Sequence, residues 1–151
     1  MGHDMPGSFP FRTLLDLSHA RLDSAGRRLA ELLASEQASA EKLKLLNQYR
    51  DEYQSRFMEA ASTGITPEQW QNFLAFLRKI EAAIAYQQQT VSQSRKRTAD
   101  GQQAWLEQRK RAHAFDTLSE RHRAREQREE GRREQKRADE HAMHRYRTER
   151  E

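Results

Sequence analysis

Hydrophobic residues recur at alternating intervals of three and four along most of the chain, with one interruption. We label the recurring positions a and d of a seven-residue repeat. In the first stretch the a positions are Leu15, Leu22, Leu29, Glu36, Leu43, Arg50 and Phe57, and the d positions are Phe11, Ser18, Ala25, Leu32, Ser39, Leu46, Tyr53 and Ala60. A repeat of 3.5 residues is typical of left-handed coiled coils. The pattern predicts one long helix with a narrow apolar face.

The second stretch carries the same repeat from Trp70 onward. Its a positions are Trp70, Leu77, Ile84, Val91, Thr98, Trp105 and Ala112, and its d positions are Phe73, Ile80, Gln87, Ser94, Gly101, Gln108 and Phe115. Two helices with matching apolar faces bury them by packing on each other.

The interruption has the composition of a tight turn between helices. Gly64 suits the left-handed residue that follows a helix. Thr66 can cap the next helix, Pro67 suits its first position, and Gln69 can complete a capping box. We therefore predict a first helix over about 11–62, a turn at 63–66 and a second helix from 67. A connection this short makes the helices antiparallel.

Folding the chain about Ile65 places every a position opposite a d position, so that both tryptophans face alanines and the seam glycine faces a leucine. The predicted pairs are Trp70 with Ala60, Trp105 with Ala25, Gly101 with Leu29, Phe73 with Phe57, and Phe115 with Leu15. Glu36, Ser39 and Ser94 fall at one level of this seam. We expect a loose, partly hydrated waist there, because polar residues contribute little apolar burial.

The predicted fold is all-α: a long antiparallel two-helix coiled coil over 11–118, with a charged helical overhang. Between Glu120 and Glu151, 20 of 32 residues are charged. We expect 119–151 to be a single-helix extension that frays, and 1–10 to be disordered. No segment matches a signal peptide or a membrane span.

Composition agrees with long helices that meet along narrow seams, since 33% of residues are charged, 35% hydrophobic and 8% aromatic. The chain has no cysteine, which fits a reducing compartment. Its net charge of +4 comes from closely alternating cations and anions, a pattern typical of solvated helix faces.

Few residues of the sequence suggest a catalytic or ligand-binding site. The sequence has no glycine-rich phosphate loop, catalytic triad or paired carboxylates in an apolar setting, so we expect no enzyme, no cofactor and no small-molecule substrate. His141 and His144 resemble surface histidines more than a metal site. Basic clusters at 94–97 and 107–113 leave a nucleic-acid-binding protein as a less favoured alternative. A generic coiled-coil adaptor is the other alternative.

Several apolar residues lie beside the seam near the turn. They are Leu45, Tyr49, Leu74, Phe76 and Tyr86. Exposed aromatic-aliphatic patches mark protein contact sites. Alternatively, these residues simply widen the seam.

The chain resembles the FliJ family of flagellar export proteins. The segments that carry the resemblance are 11–33 (FRTLLDLSHARLDSAGRRLAELL), 41–53 (EKLKLLNQYRDEY), 64–84 (GITPEQWQNFLAFLRKIEAAI), 104–111 (AWLEQRKR) and 133–142 (REQKRADEHA). The resemblance implies an antiparallel coiled coil that acts in flagellum assembly, motility and chemotaxis. It implies a cytoplasmic location, peripheral to the inner membrane at the flagellar base.

The resemblance also implies partners and their contact residues. The expected partners are the export ATPase ring, the export-gate membrane protein and export chaperones, with only indirect membrane contact. The gate contact would comprise Leu46, Tyr49, Tyr53, Phe76, Ile80, Ala83 and Gln87. The contact with the ATPase ring, near the chain termini, would comprise Phe11, Leu14, Arg109, Arg111 and Leu118.

Overall fold

Two long helices that pack against each other make up the structure, a computed structural model that describes residues 11–150. Helix α1 spans Arg12–Ala61 and helix α2 spans Pro67–Arg150. No strand occurs in this described part of the chain. The predicted all-α helical hairpin is confirmed, whereas the segment 1–10, predicted to be disordered, lies outside the described residues.

The chain divides into two compact units. The turn unit is Ser24–Leu106, and the described part of the terminal unit combines residues 11–23 with residues 107–150. Neither unit corresponds to the predicted division at residue 118, which stays a prediction.

The turn between the helices has the predicted local chemistry. Gly64 has a φ of 101°, a left-handed conformation that residues with a Cβ rarely adopt. The amide of Gln69 donates to Thr66 Oγ1 at 3.2 Å, and the amide of Thr66 donates to Gln69 Oε1 at 3.0 Å. These reciprocal bonds form the capping box that starts α2 at Pro67.

The seam of the turn unit follows the predicted repeat. The buried side chains of α2 in this unit are Phe73, Ile80, Ile84, Gln87, Val91, Ser94 and Thr98. Every one of them is at an a or d position, so the assigned period of 3.5 residues describes which face of α2 is covered.

The α2 side of the middle of the seam is well covered, which contradicts the expectation of a loose waist. Val91 is only 3% exposed, whereas Trp70 near the turn is 45% exposed. Ser94 and Thr98 are short enough for the helices to approach closely, and Thr98 Oγ1 donates to the carbonyls of Ser94 and Leu32. The Thr98 hydroxyl is therefore paired within the seam.

Large side chains do pack against glycines across the seam. The indole of Trp105 lies beside Gly26, where a Cβ would be 3.6 Å from Trp105 Nε1. At Gly101 a Cβ would lie 2.5 Å from Leu32 Cδ1 and 3.8 Å from Leu29 Cδ1. Gly101 therefore faces the expected Leu29 and, more closely, Leu32.

Near the turn, the expected pairing of Phe57 with Phe73 is confirmed. Their rings stack with centroids 3.7 Å apart. The Trp70 indole lies against the outside of that stack, 5.7 Å from Phe57 and 6.0 Å from Phe73. Both Trp70 and Ala60 are exposed as a result.

The terminal unit joins the start of α1 to the middle of α2. Ala112 is 1% exposed and Ser18 is 5% exposed, and both are seam positions. His19 Nε2 lies 2.8 Å from Asp116 Oδ1 beside this seam. Further along α2, the side chains from Gln127 to Arg150 are exposed. Among residues 11–150, no helix offers the long apolar run that crossing a bilayer requires.

Candidate partner-binding surfaces

A continuous run of aromatic rings lies on the turn unit, on both helices. We call it the aromatic cluster; its members are Tyr49, Tyr53, Phe57, Trp70, Phe73 and Phe76. The ring of Tyr53 lies between Phe73, with a centroid separation of 5.4 Å, and Phe76, at 4.5 Å. The edge of Tyr49 meets Phe76 at 6.3 Å and 75°. Aromatic contacts of this type hold side chains in fixed orientations.

The predicted gate-contact residues occupy three different environments. Tyr49 is 50% exposed and Ala83 is exposed; Leu46, Tyr53 and Phe76 are half-buried. Ile80 and Gln87 are buried in the seam. The structure therefore brings Tyr49, Tyr53 and Phe76 together at one surface and places Ile80 and Gln87 beneath or beside it.

Gln87 has a specific role in the seam. Its Nε2 donates a hydrogen bond to the backbone carbonyl of Ser39 at 3.0 Å, and the residue is 4% exposed. A buried amide without such a partner would carry a desolvation penalty. In this structure the side chain joins the two helices and does not form a polar edge for a partner.

Three members of the aromatic cluster, Phe57, Trp70 and Phe73, were not among the predicted contact residues. Phe57 and Phe73 were expected only to fill the seam, yet their stacked rings continue directly into Tyr53. The sequence already indicated this continuity. Tyr53 and Phe57 of α1 fall at the same level of the folded chain as Phe73 and Phe76 of α2. The cluster is therefore anchored in the seam and reaches the surface at Tyr49 and Trp70.

The residues predicted to contact an ATPase ring all belong to the terminal unit, and all are exposed. Phe11 is 52% exposed, Leu14 44% and Leu118 46%. Leu14, Arg111 and Leu118 share position g of the repeat, whereas Arg109 is at e and Phe11 at d. These residues therefore lie on different flanks of the seam.

Comparison with known proteins decides the family. The sequence model described as "Flagellar FliJ protein" matches residues 7–151. The chain belongs to the flagellar FliJ protein family. The Flagellar FliJ protein of Escherichia coli (strain K12) is 33% identical over 131 residues, covering 87% of this chain and 89% of the relative. The Flagellar FliJ protein of Salmonella typhi is 32% identical over the same shares.

A solved structure shares the fold of this FliJ-family chain. It is described as that of a YscO homolog, CT670, from Chlamydia trachomatis, and it superposes with a TM-score of 0.58. The alignment covers 90% of this chain and 93% of the other, at 19% sequence identity. Family membership confirms the coarse functional class expected from the sequence, a component of flagellar protein export.

Proposed function

We propose that this chain is a non-enzymatic connector that links the flagellar export ATPase ring to the membrane export gate. It would also assist export chaperones and their substrates during flagellum assembly. In this role it works in the cytoplasm, at the inner membrane of the flagellar base, without inserting into the bilayer. Its action is mechanical or allosteric, so it requires contacts that differ between states of its partners.

The observation that carries this proposal is the exposed end of the aromatic cluster. Tyr49 is 50% exposed, and its ring is oriented by the edge contact with Phe76. A tyrosine that is held in place but half open to solvent can bind a partner at a small entropic cost. Membership of a flagellar export family supports the choice of the export gate as the partner of this surface.

The experiment is a binding assay between the full chain and the cytoplasmic domain of the export gate. Replacing Tyr49 and Phe76 together by alanine removes the exposed ring and the ring that orients it. We expect affinity to fall by about tenfold or more, as truncation of an aromatic anchor typically does. Far-UV circular dichroism should show unchanged helicity.

The matched control replaces two exposed apolar residues of the same unit that lie outside the aromatic cluster. Leu33 is 51% exposed at position e, and Met58 is 67% exposed at position b. The double alanine variant of this pair should bind the gate domain as tightly as the unmodified chain. The proposed gate contact would be refuted if the unmodified chain and both double variants bound the gate domain with equal affinity.

A further inference from the structure

The contact between His19 and Asp116 shows which flanks of the helices meet in the terminal unit. Both residues are at position e, and their side chains approach to 2.8 Å. This flank therefore pairs e with e, as an antiparallel coiled coil requires. On the opposite flank the g positions of the two helices adjoin, with the c positions next to them.

On that opposite flank, α2 carries a stripe rich in arginine. From Arg111 to Arg132, its g and c positions hold no acidic residue. Five of these seven positions are arginine and the other two are Ala114 and Leu118. We call the five the arginine stripe: Arg111, Arg121, Arg125, Arg128 and Arg132, all exposed.

The arginine stripe has no carboxylate partner among residues 11–150. None of its five guanidinium groups forms an ion pair, although neighbouring residues of the same unit do, as Arg133 does with Glu130. Arg128 donates only to the Ala124 carbonyl of its own helix, at 3.4 Å. Arg121 and Arg125 are four residues apart, as are Arg128 and Arg132, and like charges at this spacing destabilise a helix.

Exposed leucines adjoin one end of the stripe. Leu14 at g and Leu17 at c of α1 are 44% and 42% exposed, and Leu118 at g of α2 is 46% exposed. Glu107 at c and Asp139 at g border the two ends of this stretch, and within residues 111–132 of α2 the acidic residues lie at other positions. Asp116 and Glu130 are at e, Glu120 is at b, Glu126 at a and Glu129 at d. Asp16 and Asp23 are at b in α1. Over residues 111–132, the g and c positions of α2 therefore form a basic and apolar face.

We infer that this face, made of the arginine stripe and the three leucines, binds an acidic amphipathic helix of another protein of the export apparatus. The inference rests on the proposed function, since Leu14, Arg111 and Leu118 also belong to the predicted ATPase-ring contact. It goes further by naming the chemistry of the partner and by adding Arg121, Arg125, Arg128 and Arg132.

Charge and composition favour a protein helix over other anionic partners. The stripe contains arginine and no lysine, and the planar guanidinium group pairs with carboxylates through two parallel hydrogen bonds. Its period of 3.5 residues matches the side-chain period of a helix that lies alongside. The leucines supply apolar contact that phosphate groups would not use.

The test compares two variants of the full chain with equal changes in net charge. The stripe variant carries Arg121→Glu, Arg125→Glu and Arg128→Glu. The control variant carries Lys110→Glu, Arg123→Glu and Arg137→Glu, which lie at e and f. Affinity is measured separately for the export ATPase, the gate cytoplasmic domain and a filament-type export chaperone, after circular dichroism has shown equal helicity.

We expect the stripe variant to bind at least one of these proteins about tenfold more weakly, with the control variant within about threefold of the unmodified chain. Equal binding by all three chains would overturn the inference and leave the proposed function standing. No binding of any protein by the unmodified chain would overturn both.

Duplex DNA and vesicles containing anionic lipid serve as further probes in the same buffer. The inference predicts that the unmodified chain binds each of them more weakly than the protein partner at physiological salt. Tighter binding to DNA or to vesicles, lost in the stripe variant, would overturn the assignment to an acidic helix.

Discussion

The side-chain amide of Gln87 donates a hydrogen bond to the backbone carbonyl of Ser39 across the seam, with 3.0 Å between Nε2 and the oxygen. The bond joins α2 to α1 in the middle of the turn unit. A polar side chain that pairs with one particular carbonyl favours one axial register of the two helices over others.

Replacing Gln87 by alanine should lower the free energy of unfolding by about 1–3 kcal/mol, because the variant loses the hydrogen bond and leaves a cavity. Urea unfolding followed by circular dichroism measures the change. Gln89→Ala, at an exposed position two residues away, should alter stability by less than about 0.5 kcal/mol. A Gln87 variant as stable as the unmodified chain but unable to bind the gate domain would contradict the seam role.

Two glycines in the middle of helices offer a matched comparison of packing. Gly26→Ala should stabilise the protein by about 0.5–1 kcal/mol, since alanine favours the helix and its Cβ would meet Trp105 at an ordinary distance. Gly101→Ala gains the same propensity, but its Cβ would come within 2.5 Å of Leu32 Cδ1. Leu32 must then move, and we expect the gain to be cancelled or reversed.

Thermal unfolding of the two alanine variants, measured side by side, distinguishes these outcomes. The Gly26 variant should unfold at a higher temperature than the Gly101 variant. Equal increases in both would show that Leu32 moves aside without cost and that Gly101 is not required for close approach of the helices.

Phe73 is central to the aromatic cluster, because its ring contacts Tyr53, Phe57 and Trp70 and is 7% exposed. Phe73→Ala should lower the free energy of unfolding by about 3–5 kcal/mol. Tyr86→Ala removes a ring that is 73% exposed and should cost less than about 0.5 kcal/mol. Chemical denaturation compares the two, and similar losses would refute the central position of Phe73.

Local features of the fold were predictable because each depends on neighbours in sequence. The bounds of the turn follow from Gly64, which tolerates a left-handed φ, and from Thr66 and Gln69, which cap each other. The covered face of α2 follows from apolar spacing, which is a property of one helix alone. None of these features depends on the position or side chains of the facing helix.

The candidate gate surface was predictable only in part. Tyr49 and Phe76 lie together at the surface as the spacing indicated, whereas Gln87 is buried and bonded to Ser39. A glutamine at a seam position can turn outward to a partner or inward to a carbonyl. Which of these it does depends on the distance between the helices.

By itself the sequence determined two helices, the turn between them, the face that each buries and the family to which the chain belongs. Periodicity, capping and homology all depend on the order of residues along the chain. The tertiary structure decided the rest. Close packing around Gly101, Ser94 and Thr98 buried a polar stretch of the seam that the sequence predicted to be loose. Packing against the rings of Phe57 and Phe73 left Trp70, a predicted seam residue, 45% exposed. Both outcomes depend on how side chains from the two helices pack together in the space between them. This packing cannot be predicted from either helix alone.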